Sequence, residues 1–155
     1  MQVSDTITHF SVMLGNLDHW LGEATTYAGQ KGFEADVLAQ ARLAPDQYTL
    51  VQQVQSACDQ AKYAAAYLSG QKPPSHPDTE KTIAEIRQRI RVTVDYLGTF
   101  KREDFTNCED RACSHTWMGG KAMRAPLAFG RIWRLVLSLF EAICSLQAAC
   151  TSRSA

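Results

Sequence analysis

Residues 44–70 read APDQYTLVQQVQSACDQAKYAAAYLSG, and this stretch decides the fold. Val51, Val54, Cys58, Ala61, Ala65 and Leu68 recur at steps of three and four, which puts them on one stripe of an α-helix. Ala61, Ala64, Ala65 and Ala66 keep that helix thin, so a neighbour can approach closely. Ala44-Pro45-Asp46 predicts where it opens. Proline suits a first turn whose N–H has no partner, and Asp46 suits the positive helix end. Gly70 and then Lys72-Pro73-Pro74-Ser75-His76-Pro77 stop the helix.

The same periodicity extends outward on both sides. A first helix over 5–29 carries Ile7, Phe10, Leu14, Leu17, Leu21, Ala24 and Ala28, ends at Gly29 and Gly32, and is followed by a short helical piece over 34–40. A third helix is expected to be capped by Asp78 or Thr79. Its stripe is Ile83, Ile86, Ile90, Val94 and Leu97, with Glu85 and Arg89 four apart as a favourable pair. Residues 101–126 lack a helical period. Gly119-Gly120 there suggests a tight turn, with His115, Trp117 and Met118 before it and Met123 after it as arms of a small hairpin. A fourth helix over 127–149 turns Ile132, Leu135, Val136, Leu139, Ile143 and Leu146 one way and Arg131, Arg134, Ser138, Glu141 and Ser145 the other. It is long enough to span a membrane, but its charges argue for a bundle helix. The expectation is an all-α, antiparallel four-helix bundle forming one domain over 1–150, with a tail at 151–155.

Lys plus Arg equals Asp plus Glu at 16 each, so there is no basic excess to attract nucleic acid. Arg87, Arg89 and Arg91 fan around a helix that turns about 100° per residue and form no stripe. Asp5 and His9 near the start, with no basic flank before an apolar core, do not read as a signal peptide. Cys58, Cys108, Cys113, Cys144 and Cys150 are odd in number and scattered, as expected of reduced thiols in a cytoplasmic protein.

Ala41-Arg42-Leu43-Ala44-Pro45-Asp46-Gln47-Tyr48, followed by Leu50, Gln53-Val54-Gln55, Ala57, Asp59 and Ala61-Lys62, resembles the signature of the family known as domain of unknown function 1993, within the DinB/YfiT-like bundles. Pro74-Ser75, Asp78-Thr79-Glu80, Thr82, Arg89-Ile90 and Thr93 are similar to its next block, and Glu109-Asp110-Arg111 to a third. The resemblance covers roughly residues 1–125. It implies a bundle that is often a homodimer, and it implies no activity. From Leu127 the chain departs from the family pattern, being either diverged or the product of a frameshift. The wider superfamily is known for a metal held by one histidine on the second helix and two on the fourth, an arrangement that leaves a coordination position open for a reacting group. No histidine falls on either helix here. His9 and His19 lie on the first, His76 in the proline-rich link and His115 in the irregular region.

Two other sets of residues are candidates for chemistry. Gln55, Asp59 and Lys62 fall at the border of the second helix's stripe, with Tyr48 one or two turns earlier, and together they can line a polar pocket at the bundle's edge. Asp59 would accept from a ligand or act as a base, and Lys62 would hold an anion. Alternatively, Asp59 pairs with Lys62 and Gln55 bonds a neighbouring loop, which would make these residues structural. Cys108, Cys113 and His115 are potential zinc ligands, but their spacing fits no strong zinc pattern and a fourth ligand is missing. No metal cofactor is therefore expected. Trp20, just off the first helix's stripe, suits either core packing or a subunit contact. The sequence contains no phosphate-cradling glycine loop, nucleophile elbow or Cys-Xaa-Xaa-Cys pair. The expected function is a non-catalytic small-molecule or protein-binding module, without nucleic-acid or membrane partners. The alternative is a metal-dependent thiol transferase or hydrolase using non-standard zinc or nickel ligands.

Overall fold

Helix α1, Val3–Lys31, opens a chain whose computed structural model describes residues 3–106, 108, 112–113 and 123–124. It buries Ile7, Phe10, Leu14, Leu17, Leu21 and Ala28 along the expected stripe. A single turn, α2 (Asp36–Ala39), stands where the short helical piece was expected. Helix α3 is Leu50–Ser69 and α4 is Ile83–Gly98. A 3-10 turn, Arg102–Phe105, follows and packs Phe105 into the core. Strands β1 (Ala112–Cys113) and β2 (Met123–Arg124) pair antiparallel, Ala112 with Arg124 and Cys113 with Met123. The small hairpin expected between the third and fourth helices thus has its ladder outside His115, Trp117 and Met118. Those three residues lie outside the described ones, as do the fourth helix expected over 127–149 and the tail. No helix among the described residues is long and apolar enough to cross a membrane.

Two helix starts differ from the sequence reading, for the same reason. Thr49 Oγ1 accepts from Gln52 N at 3.3 Å, and Gln52 Oε1 accepts from Thr49 N at 3.0 Å. This reciprocal capping box starts α3 at Leu50, five residues beyond Pro45. Pro45 and Asp46 occupy a turn instead, closed by Gln47 N donating to Ala44 O at 3.0 Å. Thr82 and Glu85 form the equivalent box at α4, so its cap is Thr82 rather than Asp78 or Thr79. Glu85 is thereby committed to the Lys81 and Thr82 amides, and Arg89 turns to other carboxylates. At the far end of α3, Gly70 takes a left-handed φ of 77° while Gln71 N donates back to Ala66 O at 2.8 Å, which closes the helix.

Helices α1, α3 and α4 share one core, in which Val54, Ala65 and Ile86 are fully inaccessible. Asp18 of α1 meets both Arg87 and Arg91 of α4, and Gly22, a turn later in α1, lies against Arg87, so α1 and α4 run antiparallel. A Cβ on Gly22 would stand 3.3 Å from the Arg87 guanidinium, and its absence lets that side chain lie across α1. The direction of α4 relative to α3 follows from backbone bonds. Leu50 N donates to Ala41 O just after α2, and Ile83 N donates to Asp36 Oδ1 within α2. Both α3 and α4 therefore begin beside α2. Residues 71–82, which contain no regular structure, must run back along α3 to reach that end. Their extended reach of about 40 Å covers the roughly 30 Å length of α3.

Candidate functional site

The returning segment meets α3 in order. His76 feels the charge of Lys62, Asp78 shares a nitrogen of Arg89 with Asp59, and Glu80 takes a hydrogen bond from Gln55. The result is a polar seam between the border of α3 and the 71–82 strap, with Arg89 of α4 reaching into its centre.

Arg89 is 5% exposed, and its fork serves four acceptor groups. Nη1 donates to both Glu80 oxygens at 3.0 and 3.2 Å and to Pro77 O at 3.2 Å. Nη2 donates at 2.9 Å to Asp59 Oδ1, and Asp78 Oδ1 stands at 2.9 Å from the same nitrogen. Nε is buried without an acceptor among the described residues. Asp59 Oδ1 also takes Lys62 Nζ at 2.7 Å, so one carboxylate oxygen bridges two cations. Lys62 is 1% exposed, and its ammonium lies 4.8 Å from the centroid of the Tyr63 ring. Behind the seam, Thr93 Oγ1 donates to Arg89 O at 2.9 Å, locking the turn of α4 that carries the guanidinium.

The titrations follow from this arrangement. Burial lifts the Cys58 thiol to about 12 despite the nearby Thr93 hydroxyl and Arg89 charge, so it stays a protonated core group and no nucleophile. Burial alone would raise the Glu80 carboxyl. The bonds from Gln55, its own backbone and Arg89 outweigh it and hold the group below its ordinary 4.5. Burial first, and then the charges of Lys62 and Arg89, hold the His76 imidazole below its ordinary 6.5 against the pull of Asp59 and Glu80. A base with a lowered pKa stabilises the fold most above its ordinary value and loses that contribution as pH falls through the lowered one. An imidazole NMR titration should therefore find His76 half-protonated below pH 6.5, and Lys62→Met should move its midpoint up. A midpoint at or above 6.5 in the wild type would remove His76 from the seam.

Of the four pocket candidates, Gln55, Asp59 and Lys62 come together along the seam, with Asp59 paired to Lys62 and Gln55 bonded to the strap. Tyr48 stands apart. Because α3 starts only at Leu50, Tyr48 belongs to the preceding loop, and it is 64% exposed. Arg89, Glu80, Asp78 and His76 belong to the seam but were not among the candidates. A signal for Arg89 was present: it sits between Ile86 and Thr93 on the face that α4 buries, where a guanidinium needs carboxylates.

The superfamily's three-histidine metal site does not fit the residues present. Helix α3 has no histidine, and His9 and His19 are exposed on α1. The three carboxylates that converge here, Asp59, Asp78 and Glu80, converge on a guanidinium. Among the described residues no three His, Cys, Asp or Glu are grouped to hold a metal. Of the other metal candidates, Cys108 is buried, Cys113 is in β1, and His115 lies outside the described residues.

Comparison with curated proteins gives no match. Among solved structures, a DinB family member protein from Shewanella denitrificans is 36% identical, with a TM-score of 0.76, over 87% of this chain and 80% of that one. The family model described as domain of unknown function (DUF1993) matches residues 4–129, ending close to Leu127, and the chain belongs to that family.

Proposed function

We propose that this bundle is a non-catalytic binding module that seats a small molecule at the Asp59–Lys62 turn of α3. The observation that carries the reading is the state of Lys62. Taking an ammonium out of water costs several kcal/mol, and an apolar side chain of similar volume is often as stable or better. Yet Lys62 is 1% exposed and has one carboxylate oxygen as its acceptor among the described residues, an oxygen it shares with Arg89. An ammonium carries three donors; one meets Asp59 and the Tyr63 ring faces the group as well, which leaves at least one for an acceptor group on a ligand. A charge retained at such a cost, beside a lowered histidine and a lowered carboxyl, is the pattern of a functional position.

Thermal-shift screening of the purified chain against inorganic phosphate, small carboxylic acids and small amides tests the reading. A binder should raise the Tm of the wild type and leave Lys62→Met unmoved. Lys62→Met keeps the apolar stem, so its own stability should change by only about 1 kcal/mol. Asp59→Asn should weaken the same shift. An undiminished shift in Lys62→Met would sink the seat. One metal per chain in untagged protein prepared without chelator would overturn the non-catalytic reading.

A homodimer in the cytoplasm belongs to the same proposal, the dimer supported by the family resemblance and the compartment by the five scattered cysteines, and light scattering in solution tests the subunit count. The absence of a nucleic-acid partner is supported by the arginines. Arg87 and Arg91 are matched by Asp18, and Arg89 by the seam.

A further inference from the structure

The strap is held differently from everything around it. No side chain from Gln71 through Lys81 is fully buried, and only Pro73, Pro74, His76 and Glu80 are half-buried, so little apolar surface secures the segment. Its attachments near the seam are polar: Pro77 O, Asp78 and Glu80 on Arg89, and Glu80 on Gln55. Segments with few buried apolar contacts open locally at a small fraction of the global unfolding free energy. Pro73, Pro74 and Pro77 stiffen the middle, while Gly70 at one end supplies backbone freedom, so such an opening moves the strap as a unit. Lys62 is tied to the strap through Asp59, whose Oδ1 it shares with Arg89, while Arg89 Nη2 also holds Asp78 of the strap.

We propose that residues 71–82 are a latch that opens and closes over the Asp59–Lys62 turn, pinned shut by Glu80 and Asp78 on the Arg89 guanidinium. Closed, the strap's carboxylates and the Pro77 carbonyl occupy the guanidinium as an anionic ligand would. Open, Arg89 and Lys62 stand side by side across Asp59, and donors on both cations face the space the strap has left. The role of the latch as a gate rests on the seat proposed above, whereas its motion does not, and the test uses no ligand.

Hydrogen exchange and acetylation with acetic anhydride read the two consequences together on the full chain. In Glu80→Gln, peptides within 71–81, in which Gln71 N donates to Ala66 O and Lys81 N to Glu85 Oε2, should exchange about tenfold faster as the strap lifts away with loss of a charge-assisted bond, while α1, α3 and α4 keep their protection. Acetylation of Lys62 should rise by a similar factor, with exposed Lys31 and Lys101 as unchanged references. Asp78→Asn removes a carboxylate that is 60% exposed, so it spares the fold and should show a smaller change in the same direction. Wild-type exchange in both variants would overturn the latch. So would faster exchange with Lys62 still unlabelled, or a loss of helix protection in step with the strap. A retained ligand shift in Lys62→Met would sink the seat while leaving the latch result standing.

Discussion

Arg89→Ala is expected to lower the unfolding free energy by about 3–5 kcal/mol, the largest effect of any polar substitution in the described residues. At this chain length that corresponds to a fall in Tm of roughly 10 °C. The cost comes mostly from what the truncation leaves behind. Asp59, Glu80 and Asp78 would then face Lys62 alone, and the Pro77 carbonyl and one Glu80 oxygen would lose their donor. Arg89→Lys keeps the charge but cannot reach four acceptor groups with a single ammonium, so its loss should be intermediate. Removing the stranded charges as a set, in Arg89→Met with Lys62→Met, Asp59→Asn and Glu80→Gln, should recover much of the stability, because an apolar or neutral replacement of a whole buried cluster is often neutral. Urea denaturation at pH 7 measures all three. A loss below about 1 kcal/mol in Arg89→Ala would mean that the cluster behaves as a solvated surface pair.

The contrast between Arg89 and its neighbours shows how far the sequence could be read. Ile83, Ile86 and Ile90 announce themselves because burial of an apolar residue depends on its own helix's period alone. The same holds for Val54, Cys58 and Ala61 on α3 and for Phe10, Leu14 and Leu17 on α1. Arg89 is buried because carboxylates at positions 59, 78 and 80 arrive from another helix and a loop, and no periodicity within α4 encodes that meeting. Taken by itself, Glu85 four residues earlier looked like its partner. The helix starts were legible in principle, since Thr49 with Gln52 and Thr82 with Glu85 both spell a capping box. Pro45-Asp46 and Asp78-Thr79 were stronger lures, being common first-turn residues whose chemistry is spent elsewhere, in a turn and on Arg89. Tyr48 fell out of the site for that reason. The path of residues 71–82 was hidden most completely. A proline-rich link reads as a terminator, and only the bonds of Ile83 to Asp36 and of Gln55 to Glu80 reveal that it doubles back along α3.

Ile86→Ala should separate the core from the latch. Ile86 is fully inaccessible and lies one turn before Arg89 in the cluster shared by α1, α3 and α4, so its truncation should cost about 2–5 kcal/mol. The spread depends on how far the neighbours collapse. Ala61, Ala64 and Ala65 on α3 are already small and have little side chain to move into the void, which favours the upper half of that range. Slowly exchanging amides in α1, α3 and α4 open only with global unfolding, so they should all exchange faster together, by roughly a hundredfold for a loss near 3 kcal/mol. The strap should not follow. Its opening breaks the bonds of Glu80 and Asp78 to Arg89, none of which Ile86 touches, so exchange within 71–81 should stay at the wild-type rate. Glu80→Gln should give the mirror image, a fast strap over an unchanged core. If Ile86→Ala speeds the strap by the same factor as the helices, the two form one cooperative unit, and Lys62 would be uncovered only when the bundle itself unfolds.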